Sequence, residues 1–347
     1  MHMATNKHLL VIRLSAMGDV AMTVPVLAAL QEQYPNLKIT VLTKGFFTPL
    51  FSQLANVTVF EADVRGKHKG VLGLYRLYKE LKALQIDAVA DLHNVLRSKL
   101  LKSFFLMGNI PVIQIDKGRN EKKALTSIKH KKFIPLKTTH QRYATVFETL
   151  GFKVSLENSP LLSTSPLAVA TQNKIGTAPK KWIGIAPFAA FSGKMYPLEL
   201  MEKVVANLNK TNKYKILLFG GGSKEKEKLD QWEATYANAI NMANQISFQE
   251  ELAVISQLDL MLAMDSGNAH LAAMYGIPTI TLWGVTHPYA GFYPFRQDSA
   301  NALLADRALF PFIPTSVYGN SYPEGYENAM KTISPEAVFQ KITQVIA

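Results

Sequence analysis

Short apolar, β-rich runs alternate along this chain with longer stretches of helical periodicity. That pattern is the signature of stacked βα units around mostly parallel sheets. Residues 9–12 (LLVI) read as a buried first strand and 24–34 (VPVLAALQEQY) as the helix after it. Further strands are expected at 38–42, 57–60, 86–90 and 110–114, which completes one α/β half.

A second series follows. Strands are expected at 182–186, 214–219, 239–242, 258–264 and 278–282, with helices at 198–208, 224–236, 248–256 and 269–275 between them. The two series are separated by ENSPLLSTSPLAVATQNKIGTAPKK, rich in Ser, Thr, Pro and Lys as a connection between domains would be. With 347 residues and about 150 residues per domain as a prior, the chain divides into a first domain at 1–165, a linker at 166–180 and a second domain at 181–330. A closing helix is expected within 331–347, where Ser334, Pro335 and Glu336 form a start signal: a hydroxyl cap, a proline in the first turn and an acid beside the positive helix end.

There are no cysteines, which excludes disulfide frameworks, thiol nucleophiles and thiolate metal sites and fits a reducing compartment. The apolar run at 9–12 is broken by Arg13, too early for a signal-peptide core or a membrane span, so a cytoplasmic protein is expected. The net charge of +12 is unevenly placed: residues 61–142 hold 18 Lys and Arg against 7 Asp and Glu. Such a surplus attracts nucleic acid, anionic headgroups or a phosphorylated substrate, or merely solubilises one face. The segment has few interleaved aromatics and no helix-turn-helix, zinc or RNP pattern, which argues against a nucleic-acid partner.

Four loops could carry chemistry. The first strand runs into Arg13-Leu14-Ser15-Ala16-Met17-Gly18-Asp19, placing a carboxylate where a helix begins. Asp19 either caps that helix or takes a proton from a substrate hydroxyl. No G-x-G-x-x-G is present here. In the second half, small residues precede Lys194 ahead of a helix, which forms a diphosphate cradle or a solvated turn. Gly220, Gly221 and Gly222 allow close approach of backbone to a ligand, or a tight turn, but do not make a Walker A loop. The segment Asp265-Ser266-Gly267-Asn268-Ala269-His270 surrounds one helix N-terminus with a hydroxyl, free amides and an imidazole, an anion site by construction. His270 alone could equally be an interior histidine. No second ligand stands at metal spacing from it, so no metal is expected. His287, before a proline, reads as a loop residue.

Taken together, R-x-S-A-M-G-D at 13–19, K-x-Y-P at 194–197 and D-S-G-N-A-H-L-A-A at 265–273, followed by G-I-P-T-I-T-L-W-G, resemble glycosyltransferase family 9, whose known members transfer heptose from ADP-heptose to lipopolysaccharide. The resemblance covers about residues 8–345. It implies a GT-B fold of two facing Rossmann-like domains, with acceptor bound by the first and nucleotide sugar by the second, and metal-independent, inverting chemistry without a cofactor. By the same resemblance Asp19 is the general base, with Arg13, Ser15 and Gly18 in its loop. Lys194, Asp265, Ser266, Gly267 and His270 bind the donor, Met242 lines the adenine pocket, and Glu225, with Glu227 nearby, matches the family's helix-start acid.

Two departures stand out. Tyr196 replaces the family's tryptophan, and Ala189 and Ala190 stand where some members carry hydroxyls, so phosphate binding falls to backbone donors. The implied partners are a nucleotide sugar and a phosphorylated lipid A or core acceptor, met at the cytoplasmic face of the inner membrane. The alternatives are a GT-B transferase or epimerase using another sugar nucleotide, such as a uridine-linked one, and a basic nucleic-acid binder without enzymatic activity.

Overall fold

A computed structural model describes residues 7–347, so the first six residues of the expected 1–165 domain lie outside the described residues. Two compact units emerge. One comprises Met1–Lys117 with Thr139–Leu162, and the other Gly118–Thr138 with Ser163–Ala347.

In the first unit, β1 (His8–Ile12) leads through α1 (Met17–Ala21) and α2 (Thr23–Gln33) to β2 (Lys38–Thr43), and β3 (Val57–Glu61) follows. Then come α3 (Gly70–Lys82), β4 (Ala88–Asp91), α4 (Leu96–Met107) and β5 (Val112–Gln114). The strands form one parallel sheet in the order β3-β2-β1-β4-β5. Every residue of β1 and β4 is buried, which explains why those runs are apolar throughout rather than alternating. Residues 23–30 of α2 are likewise all buried, so this helix carries no polar stripe.

The chain then leaves that unit: α5 (Arg119–Thr126) belongs to the second, and α6 (Thr139–Thr149) returns to the first, burying Tyr143 and Phe147. Specific contacts hold 118–138 in the second unit. Leu136 N donates to Tyr289 O at 2.9 Å, and Lys131 Nζ to Leu125 O at 2.9 Å and Pro314 O at 2.7 Å. The Lys122 ammonium lies 4.0 Å from the Phe292 ring centre, and the Arg307 guanidinium 3.6 Å from that of Phe133. Burial pushes the Lys131 ammonium down to about 8, with Arg307 adding to the effect. Seven of the 18 cations of the 61–142 stretch therefore belong to the second unit.

The second unit continues with α7 (Val169–Ile175), β6 (Lys181–Ala186), α8 (Leu198–Thr211), β7 (Tyr214–Leu218), α9 (Ser223–Thr235) and β8 (Ala239–Asn241). It closes with α10 (Phe248–Ile255), β9 (Leu260–Met264), α11 (Gly267–Met274), β10 (Thr279–Trp283), β11 (Ala302–Leu304) and α12 (Pro335–Val345). Its parallel sheet has the order β11-β10-β9-β6-β7-β8. Ser334 caps α12, its Oγ accepting from Ala337 N at 3.1 Å. The helix packs on α8 through a core that includes Met201, Val205, Val338 and Ile342. Each fully buried aliphatic side chain of this kind contributes about 1.5–3 kcal/mol.

Both sheets reverse their strand order once, between β1 and β4 in the first and between β6 and β9 in the second. In open parallel sheets, ligands bind beyond the carboxyl ends of the strands at such points.

Candidate active site

In the first unit the reversal point is occupied by a salt bridge. Arg13, one residue past β1, places NH2 2.6 Å from Asp19 Oδ2, and its NH1 donates to Leu92 O, just past β4, at 2.6 Å. One guanidinium thereby ties together the two loops that flank the reversal. Arg13 is 5% exposed, and its guanidinium lies 6.0 Å from the Tyr143 ring centre. Tyr143 OH donates to Asp19 O at 3.2 Å. Asp19 is the third residue of α1, and its Oδ2 also accepts from Ala16 N at 3.3 Å. Both contacts fall on Oδ2, and Oδ1 makes no hydrogen bond. Ser15 is half-buried, and Gly18 lies within α1 with its carbonyl accepting from Met22 N at 2.9 Å.

The second unit carries a corresponding bridge. Lys194 Nζ, after β6, lies 3.0 Å from Asp265 Oδ2, after β9, and the Asp265 side chain is 6% exposed. Thr286 Oγ1 donates to the same oxygen at 3.0 Å. Ser266 is the cap residue of α11, and its hydroxyl makes no capping bond. Gly267 begins the helix and His270 is buried in it. Their amides supply the positive end of the helix dipole beside the lysine.

The loop before Lys194 differs from the expectation of free amides. Residues Ser192–Lys194 form a 3-10 turn, in which Gly193 N donates to Gly319 O at 3.2 Å, Lys194 N to Phe191 O at 3.1 Å and Met195 N to Ser192 O at 3.1 Å. Those three donors are consumed within the protein. Tyr196 fills the position of the family's tryptophan as a buried plug: its OH donates to Ile333 O at 2.6 Å, and burial pushes its phenol up.

Glu225 Oε2 accepts from Gly221 N at 2.7 Å and so stabilises the glycine turn, while Glu227 is exposed. Met242, just past β8, is 1% exposed. His287 is a loop residue whose Nδ1 accepts from Tyr289 N at 3.1 Å, capping a short turn. Among the described residues, no group of three or more His, Asp or Glu side chains could hold a metal ion.

Sequence reasoning did not single out Tyr143, Asp91 or Gly319. Tyr143 carries no local signal, since its partner Arg13 is far away in sequence.

Two units, each built on a parallel α/β sheet, are the architecture of the GT-B fold. The sequence model of "Glycosyltransferase family 9 (heptosyltransferase)" matches residues 74–308, and the chain belongs to that family and is a glycosyltransferase. The match includes Lys194 and the 265–270 loop and begins after Asp19.

Among relatives, the lipooligosaccharide heptosyltransferase 2 of Campylobacter jejuni subsp. jejuni serotype O:6 is 23% identical over 334 residues, 95% of this chain and 96% of that one. The crystal structure of the family 9 glycosyl transferase from Veillonella parvula superposes with a TM-score of 0.75 at 20% identity, covering 100% and 98% of the two chains. E. coli ADP-heptose LPS heptosyltransferase II gives a TM-score of 0.69 at 20% identity, covering 98% of each.

Proposed function

We propose that this enzyme transfers a heptose from ADP-heptose to an inner-core acceptor of lipopolysaccharide. The observation that carries the reading is the Lys194–Asp265 bridge, 3.0 Å long and set beside the N-terminus of α11, in a member of a heptosyltransferase family. The names of the similar proteins from Campylobacter and E. coli support the donor and the acceptor class.

The roles follow from charge. The first unit binds the acceptor, whose hydroxyl gives its proton to Asp19 Oδ1 while its oxygen bonds to the anomeric carbon. The bond from that carbon to the diphosphate oxygen breaks, the configuration inverts, and ADP leaves with the electron pair. The second unit holds the donor: Lys194 and the amides at Ser266–His270 meet the growing diphosphate charge, and Asp265, fixed by Thr286, aims the lysine. Glu225 shapes the glycine turn on the donor side, and Met242 backs the adenine pocket.

The enzyme works in the cytoplasm as a peripheral protein of the inner membrane. Among the described residues, no helix is long and apolar enough to cross a membrane. Phe46, Val71, Leu72 and Leu96 are exposed just beyond the carboxyl ends of β2, β3 and β4. Lys67, Lys69, Arg97 and Lys99 are exposed among them, a combination suited to an anionic lipid surface.

The test is ADP release from ADP-heptose with heptose-deficient lipopolysaccharide as acceptor, alongside thermal shifts with ADP and UDP. A nucleotide at 100 times its Kd adds about 2.7 kcal/mol of stability. Release of ADP with preferential stabilisation by ADP is expected. No release, or stabilisation by UDP in preference, would overturn the reading.

A further inference from the structure

The first unit contains a second polar cluster that the mechanism above does not use. The loop after β4 is held by Asp91, which is fully buried. Its Oδ1 accepts from His93 N and Asn94 N, each at 2.9 Å, and its Oδ2 from Gln114 Nε2 at 2.7 Å. This turn places Asn94 in the left-handed region, with φ +44°. Residues 93 and 94 adjoin Leu92, whose carbonyl receives Arg13 NH1. They therefore stand on the opposite side of the strand reversal from Asp19, tied to its loop by one arginine.

Three polar side chains here lack partners at buried atoms. His93 is 8% exposed, yet its ring makes no hydrogen bond and Nδ1 is wholly enclosed. Asn94 donates through Nδ2 to Ile115 O at 2.9 Å, but its buried Oδ1 has no partner. Arg13 spends NH1 and NH2 and leaves Nε unpaired. Native proteins satisfy nearly all buried polar atoms, so three orphans at one sheet edge call for an explanation, and a bound molecule supplies one.

We propose that His93 and Asn94 form a hydroxyl-binding subsite that holds the acceptor sugar beside Asp19, a refinement that rests on the reading of the first unit as acceptor-binding. The chemistry favours a sugar hydroxyl over a phosphate. Burial pushes the His93 imidazole down to about 4, and the positive charges of Arg13 and Lys117 act in the same direction against Asp91 and Asp19. The ring is thus neutral at physiological pH and offers one donor and one acceptor. Nε2, the ring nitrogen that is not enclosed, exchanges one hydrogen bond with a sugar hydroxyl, and the carbonyl oxygen of Asn94 accepts from a neighbouring hydroxyl.

The test compares steady-state kinetics of wild type, His93→Ala, His93→Gln and Asn94→Gly with saturating ADP-heptose and varied heptose-deficient lipopolysaccharide. Asn94→Gly removes the side chain and keeps the left-handed turn. ADP thermal shifts report the donor site independently. His93→Ala and Asn94→Gly are each expected to raise the acceptor KM about ten-fold, the factor that corresponds to 1.4 kcal/mol. The ADP shift should be unchanged, and His93→Gln, which retains a donor and an acceptor, should recover most of the loss. An unchanged acceptor KM in an active His93→Ala enzyme would overturn the subsite alone. So would a fall in active fraction that tracks lost thermal stability with no change in KM, which would assign the ring to folding. A wild type that releases no ADP would overturn the parent reading and the subsite with it.

Discussion

Lys194 and Asp265, 71 positions apart in sequence, meet at 3.0 Å across the point where the second sheet reverses its strand order. The bridge sets one ammonium beside the start of α11, and Thr286 fixes the same carboxylate oxygen at 3.0 Å. Lys194→Gln is expected to lower turnover about 10²-fold to 10³-fold, the cost of removing one preorganised stabiliser of a developing negative charge. ADP release under single-turnover conditions measures it.

Gly319 supports that lysine from below. Its φ is +76°, and an added Cβ would fall 2.3 Å from Lys194 Cγ. Gly319→Ala would therefore strain the backbone and push the lysine stem aside. Turnover should fall in the same direction as in Lys194→Gln while Asp265 and the α11 N-terminus stay intact. Turnover equal to wild type would mean that the stem tolerates displacement.

How much of this was legible beforehand depends on where each partner lies. The strands read as apolar runs because β1, β4 and β9 sit in sheet interiors and are buried throughout, and β6 is buried from Ile183 to Ala186. The carboxyl edge of each sheet could be read too, since Asp265 follows β9 directly and Asp19 and Lys194 lie in the connections after β1 and β6. The helices α3 and α4 do not stand out in the sequence, although α3 keeps Leu74, Leu77, Tyr78 and Leu81 buried on one face and exposes Val71, Leu72 and Tyr75. Exposed apolar residues blurred its periodicity. Nor could local patterns place α5 in the second unit, because the contacts that do so, Lys122 on Phe292 and Phe133 under Arg307, are long-range pairs. Tyr143 escaped for the same reason.

Those exposed side chains make a prediction about membranes. Leu72 is 86% exposed and Leu96 75%. The double variant Leu72→Glu, Leu96→Glu is expected to sediment less with vesicles rich in anionic phospholipid, while its ADP thermal shift is retained. Cosedimentation at low salt measures this, and binding should weaken as ionic strength rises.

Acidity acts on a different group. Burial pushes the His287 imidazole down to about 4, with Arg307 and Lys131 adding to the effect. Between its ordinary value near 6.5 and about 4, the unfolded chain binds a proton that the folded unit refuses, so stability is lost as pH falls through that window. The loss at this one residue is on the order of 3 kcal/mol. All three tryptophans, Trp182, Trp232 and Trp283, lie in the second unit, so urea unfolding followed by their fluorescence reports it. His287→Gln should make the decline from pH 6.5 to pH 4 shallower.

In the proposed mechanism Asp19 takes the acceptor proton; its bridge to Arg13 falls on Oδ2 and leaves Oδ1 without a hydrogen bond. General-base catalysis contributes about 10²-fold to 10⁴-fold. The decisive measurement is ADP formation by Asp19→Asn, with ADP-heptose and heptose-deficient lipopolysaccharide both saturating. The account predicts that turnover falls at least about 10²-fold while ADP stabilises the variant as it does the wild type. Turnover within a small factor of wild type would contradict it.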